Sequence, residues 1–282
     1  MGALLVALTT AGNCSRARVE SIGKMNEGVM LAQQGRHVMA VEALERATAI
    51  DPTNEKAFYN LALVHLELNK PERAGEDLEQ AIAAGGEYAL YYEKLGLVHA
   101  KQEKWDDAKE AFEQALELDP NFARAHYRLA RVYEQLDDPQ QALEAYTEAI
   151  KKGPRFFEAY SSLGLLYADL GYPEEAKKVL EGALDVVLEG SDQEAEVRLL
   201  LGTVHQDQEN YEAAIGEFKR ALELDPGKRD ALFSLGWALA ETGEREEARR
   251  YLSRYVEVAG AEAPEHYVRA ARDRMAELDV GP

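Results

Sequence analysis

The chain has 282 residues, room for two ordinary domains or one elongated one. Asp and Glu number 52 against 32 Lys and Arg, a formal charge of −20, and so acidic a surface repels phosphate backbones and argues against nucleic-acid binding. Hydrophobic residues are 46% of the total, enough for a buried core; a single cysteine excludes an internal disulfide or a multi-thiolate site, and no run of eighteen apolar residues is present to span a membrane as a helix.

Residues 1–20 open with the apolar "ALLVALTTAG", then Asn13, Cys14 and the polar "SRARVES". That order resembles the end of a bacterial lipoprotein signal, which implies that Cys14 is lipidated and that the residues before it are removed. The departures are Ala11 and Asn13 within the motif and the missing basic opening. A frayed or partly helical N-terminal arm is the structural alternative.

From residue 21 onward the chain repeats itself. Small residues recur at Gly28, Ala62, Gly96, Ala130, Gly164, Gly202 and Gly236, with spacings of 34 residues and one of 38. Ala40, Ala74, Ala108, Ala142, Ala176, Ala214 and Ala248 keep the same register. So do Ala47, Ala81, Ala115, Ala149, Ala183 and Ala221, with Tyr255 breaking the last series. Each unit holds two amphipathic stretches, such as "YYEKLGLVHAKQ" and "WDDAKEAFEQALEL", whose apolar stripes are buried only by pairing and stacking. Asp51-Pro52, Asp119-Pro120, Gly153-Pro154 and Asp225-Pro226 end second helices.

The pattern resembles the tetratricopeptide repeat family, with Trp105 and Tyr211 in the family's mid-unit aromatic position. The resemblance implies an all-α, right-handed superhelical solenoid of about seven helix-turn-helix units. These fall at 21–54, 55–88, 89–122, 123–156, 157–194, 195–228 and 229–262. The second, fifth and seventh lack the terminal proline, with Gly86, Leu188 and Gly260 in its place. The four extra residues of the fifth lie in "LDVVLEGSDQE" and are expected to add about one turn of helix, roughly 6 Å. Residues 263–282 form a capping helix and tail, with the apolar stripe Tyr267, Val268, Ala271, Met275 and Leu278.

Catalytic signatures are missing: no phosphate-binding loop, GxGxxG, HExxH or GxSxG occurs, so no catalytic residue, metal or cofactor is expected. His65, His99 and His205 share one repeat position with Tyr133 and Tyr167, which reads as packing by a half-polar side chain rather than zinc binding. Acid pairs such as Asp106-Asp107 and Glu246-Glu247 sit at the starts of second helices, where the dipole favours them.

The resemblance implies that first helices line a concave groove for a peptide. The positions it points to are Tyr59, Asn60, Leu63, Lys94, Leu97, Arg124, Tyr127, Arg128 and Arg131, then Leu199, Phe233 and Trp237 with Asp207, Asp230 and Glu241 around them. Lys94 and the three arginines run against the chain's charge and suit an acidic or carboxylate-ended segment, with Tyr59 and Tyr127 as anchors. Alternatively the arginines pair with Glu93 and Glu134 of neighbouring repeats. The lipidated repeat proteins that the chain resembles serve as assembly factors for envelope machines, such as the type IV pilus secretin or motility complexes. The expected function is therefore a non-catalytic scaffold at the periplasmic face of the outer membrane, held by Cys14. The alternative is a soluble cytoplasmic adaptor or secretion chaperone.

Overall fold

The computed structural model describes the backbone of residues 2–260 and 264–280 and the side chains of residues 16–260 and 264–279. Every described regular element is an α-helix. One compact unit, residues 1–152, holds α1 (Gly2–Gln33), α2 (His37–Ile50), α3 (Glu55–Glu67), α4 (Pro71–Ala83), α5 (Ala89–Lys101), α6 (Trp105–Leu118), α7 (Ala123–Gln135) and α8 (Pro139–Lys152). The other, residues 153–282, holds α9 (Phe157–Asp169), α10 (Pro173–Leu184), α11 (Asp192–Asp207), α12 (Tyr211–Leu224), α13 (Arg229–Glu241), α14 (Arg245–Ala259) and α15 (Glu265–Val280). Within each unit, consecutive helices pack antiparallel as pairs, and each pair packs on the next.

The repeat is written into its two kinds of turn. Between paired helices the chain passes through a left-handed residue at Gly35, Asn69, Glu103, Asp137, Gly171, Glu209 and Gly243. At the second of these turns the Lys70 N–H reaches the His65 carbonyl at 2.8 Å and the Asn69 N–H reaches that of Leu66 at 3.0 Å, the pair of hydrogen bonds that closes a helix end. Between repeats, Asp51, Asp119 and Asp225 adopt extended backbone ahead of proline. Each turns its carboxylate onto a backbone N–H two residues on, Thr53, Asn121 and Gly227, at 3.0 Å.

The small-residue series marks where paired helices cross. A Cβ on Gly96 would lie 2.7 Å from the Phe112 ring, and one on Gly202 would lie 2.4 Å from Phe218. Both rings are fully buried, so at these two crossings a Cβ would take space that a packed aromatic ring already fills.

The extra helix expected in the fifth repeat falls within "LDVVLEGSDQE", but at the start of the next helix and after a loop: α11 is 16 residues long where α9 and α13 have 13. α10 ends at Leu184, a loop follows, and α11 starts at Asp192, ahead of the expected repeat start at residue 195. Local hydrogen bonding fixes that start: Ser191 Oγ accepts the Glu194 N–H at 3.2 Å, and Glu194 reaches back to the Gly190 N–H at 2.7 Å. At the N-terminus α1 runs without a break through residue 20; the side chain of Cys14 lies outside the described residues. At the other end α15 closes the second unit. Ala271 is fully buried, and Val268, Met275 and Leu278 pack on the same core; Arg249 pairs with Asp279 at 2.6 Å.

Candidate functional site

The first unit assembles most of the expected groove residues on α3, α5 and α7. Its centre is Glu93, on α5, fully buried and expected above only as a possible counter-ion. Arg128 Nε donates to Glu93 Oε1 at 2.6 Å, and Arg124 Nε lies 3.3 Å from the same oxygen. Lys94 Nζ stands 3.1 Å from Oε2, although that oxygen receives no hydrogen bond of acceptable geometry. Three cations thus surround one carboxylate, and none of the three has another acidic partner among the described ion pairs. Three positive charges less one negative leave +2 in a chain of net −20. Arg131, one helical turn beyond Arg128, is exposed and has no ion-pair partner among the described residues. Arg128 and Arg131 wall a cavity of about 300 Å³ with Leu97, Lys101 and Trp105.

The pairing alternative therefore holds for Glu93 and fails for Glu134, whose carboxylate accepts the Tyr146 hydroxyl at 2.5 Å. Tyr127 tilts against that same Tyr146, centroids 5.7 Å apart. Arg124 also lies over the Phe122 ring at 5.5 Å. Leu63 is half-buried. Asn60 turns its amide onto the Lys56 carbonyl of its own helix at 2.7 Å.

Tyr59 is half-buried and stacks on Tyr91, centroids 4.5 Å apart and planes 17° from parallel. Burial first, then the charge of Glu93, pushes the Tyr59 phenol up, with Arg124 acting the other way. Tyr91 is pushed up to about 12, chiefly by burial. Tyr88 meets Tyr91 edge-on at 5.2 Å. These rings, with Met25 and Leu90, bound a second hollow of about 440 Å³. Neither Tyr88 nor Tyr91 was among the expected site residues, because both lie outside the register positions that the family uses.

In the second unit the expected residues separate. Leu199 is a core residue, 7% exposed and packed in the cluster that continues to α15, so its assignment to the groove is corrected. Burial raises Asp207, and Asp169 adds to the effect. Phe233 stacks on Trp237 at 5.7 Å and meets Tyr267 of α15 edge-on at 5.4 Å. Arg274 of α15 lies over Trp237 at 5.2 Å and binds Glu241 at 2.5 Å. The capping helix thus occupies this aromatic face. What stays open beside it is a cavity of about 540 Å³ bounded by Asp230, Phe233, Tyr255 and Tyr267.

The shared histidine position is a packing position with different polar outcomes. His65 is buried with Nδ1 2.6 Å from Asp77 Oδ2, while His99 and His205 keep a buried Nδ1 without a partner. In the fourth repeat the Tyr133 hydroxyl reaches Glu113 at 3.4 Å instead. Among the described residues no three His, Cys, Asp or Glu side chains converge on a point.

Paired helices in a fixed 34-residue register, with side chains gathered along successive first helices, define a helical-repeat protein of the kind that holds other proteins. Tetratricopeptide repeat profiles match residues 59–104 and 199–266, 99–163 and 155–227, and a TPR repeat profile matches 28–69. The chain belongs to the tetratricopeptide repeat family. No curated protein matches it. Among solved structures, MamA is 28% identical, with a TM-score of 0.54 over 56% of this chain and 92% of that one. YrrB, described as a TPR protein with an unusual peptide-binding site, is 24% identical, with a TM-score of 0.54 over 68% of this chain and 97% of its own. pilF of Pseudomonas aeruginosa is 20% identical, with a TM-score of 0.62 over 77% and 96%; at such identities the likeness is one of fold.

Proposed function

We propose that the chain is a non-catalytic scaffold that captures an acidic or carboxylate-ended segment of a protein partner on α3, α5 and α7. The observation that carries this reading is the charge excess around Glu93. The buried carboxylate holds Arg124 and Arg128 in place but neutralises only one of three cations, and a preorganised guanidinium binds a second carboxylate at lower entropic cost than a free one. Arg131 extends the same positive strip.

The scaffold works, in this reading, at the periplasmic face of an outer membrane, held by lipid on Cys14, and assists the assembly or stability of an envelope machine of the pilus secretin or motility kind. Support for that address is the order of "LTTAGNCS", and several acyl chains on one cysteine would give stable retention.

The double variant Arg128→Glu, Arg131→Glu should lose partner capture in a pull-down from cells that express it at normal level; undiminished capture would sink the groove reading. Labelled fatty acid and membrane fractionation test the address, with Cys14→Ala as control. A chain that is unlabelled and soluble before substitution removes the lipoprotein reading and puts the cytoplasmic adaptor or secretion chaperone in its place.

A further inference from the structure

We infer that the aromatic hollow between α3 and α5 is a receptor for one large apolar side chain, aromatic or long aliphatic, carried by the same segment whose carboxylates meet the arginines. The inference rests on the groove reading above and specifies what its partner must look like.

It starts from a break in the repeat. Where Pro52, Pro120 and Pro154 stand before three of the first helices, the second repeat ends in Gly85-Gly86. A Cβ on Gly86 would lie 2.4 Å from Tyr91 Cε2 and 2.7 Å from the Ala81 carbonyl oxygen. No side chain fits there while the Tyr91 ring occupies the space, so the loss of proline is the condition for Tyr91's position. Placed there, Tyr91 is 5% exposed and becomes the floor on which Tyr59 stacks and against which Tyr88 stands edge-on. Tyr88 itself is 52% exposed. Core packing does not account for a half-bare ring beside an open hollow of about 440 Å³, a volume within the range of small-ligand sites. Departures from a repeat's local rule are where function is expected to reside.

The chemistry of the walls selects the occupant. Met25, Tyr88, Leu90 and Tyr91 offer apolar surface and ring faces, and aromatic anchors in desolvated pockets dominate binding energy at interfaces. Lys56 and Asn60 complete the lining, and Asn60's amide is already engaged with its own helix. The hollow lies one repeat from the cation cluster: Met25 of α1, residues of α3, Tyr88 and the start of α5 form it, whereas Glu93, Arg124 and Arg128 join α5 and α7. Packed helices are about 8–10 Å apart, and an extended chain advances about 3.3 Å per residue. A single extended segment therefore bridges the two features when its apolar residue stands about three positions from its carboxylates. The positive strip supplies the charge complementarity that favours such a segment.

The test uses the full chain and labelled decapeptides in a Gly-Ser background, read by fluorescence anisotropy at low salt. One peptide carries Asp-Glu-Asp with Phe three positions away, a second has Ser for that Phe, and a third keeps Phe but has Asn-Gln-Asn. The first should bind at least 10-fold more tightly than the second. Tyr88→Ala, a change at an exposed ring, should collapse that ratio to near one, as should Gly86→Ala through displacement of Tyr91. Equal binding of the first two peptides, or a ratio that survives Tyr88→Ala, overturns the receptor and leaves the groove reading standing. Failure of both acidic peptides to bind overturns the two together. Should sedimentation show a dimer that Tyr88→Ala dissolves, the hollow holds a second copy of the chain and the inference falls.

Discussion

Glu93 in the first unit and Glu194 in the second are both buried carboxylates that gather arginines, yet they do opposite things to their surroundings. Around Glu93 stand Lys94, Arg124 and Arg128, a balance of +3 and −1. Around Glu194 stand Arg198 and Arg220, each shared with a second acid, Glu217 or Glu223, a balance of +2 and −3. Glu194 also accepts the Gly190 N–H, and its work is to fix the start of α11. A buried acid with arginine partners is thus a structural clasp where the charges close, and the seat of an anion receptor where cations are left over. Burial and pairing alone do not distinguish the two; the local sum does.

The largest effect that would separate them is the loss of the Glu93 charge. Glu93→Gln leaves three cations converging on a neutral amide. It should cost about 3 kcal/mol of stability, near the lower end of the range for breaking a buried ion pair because the cations keep some water, as read by urea denaturation. Added salt should recover part of that loss by screening the repulsion. A cost no larger than that of Glu194→Gln would break the comparison.

Glu194→Gln should cost about 1 kcal/mol at neutral pH, since the amide oxygen can still accept a weaker bond. The Gly190 N–H first, then Arg220 and Arg198, hold the Glu194 carboxyl below its ordinary 4.5. Folded Glu194 therefore releases its proton more readily than the unfolded chain does. Its stabilisation is complete above the unfolded value and is lost as pH falls through the folded one. The difference between parent and variant should accordingly shrink below about pH 4.5 and be indifferent to higher pH, which denaturation at a series of pH values checks.

The smallest effect on stability is the sharpest on function. Arg131→Glu alters an exposed side chain with no ion-pair partner among the described residues, so thermal unfolding should move by less than about 0.5 kcal/mol. Binding of an acidic peptide should nonetheless weaken at least 10-fold and lose much of its salt dependence. A matching fall in stability would mean that Arg131 belongs to the clasp and not to the receptor.

Much of the fold was legible before any coordinate. The 34-residue register, the helix ends at Asp-Pro, the glycines at helix crossings and the apolar stripe of the cap are all local signals repeated several times. The groove was half legible. Lys94, Arg124 and Arg128 do converge, but Glu93 was read as one of two possible counter-ions instead of their hub. A signal for it existed in the column Met25, Tyr59, Glu93, Tyr127, Ser161, Leu199 and Phe233, where it is the one charged residue. Leu199 was misplaced in the groove because a register position says which helix face a residue occupies. It does not say how deeply the neighbouring helices cover that face. For the same reason Trp237 read as a groove residue while Arg274 of the cap stands over it.

The repeat, its helices and their ends are written locally, because each depends on residues within a few positions of one another: a proline, a capping aspartate, an apolar residue every third or fourth place. Which charges cancel and which remain, and that Gly86 makes room for Tyr91, emerge only once the repeats are packed. These depend on side chains brought together across neighbouring repeats, where distance through space, and not along the chain, sets the energy.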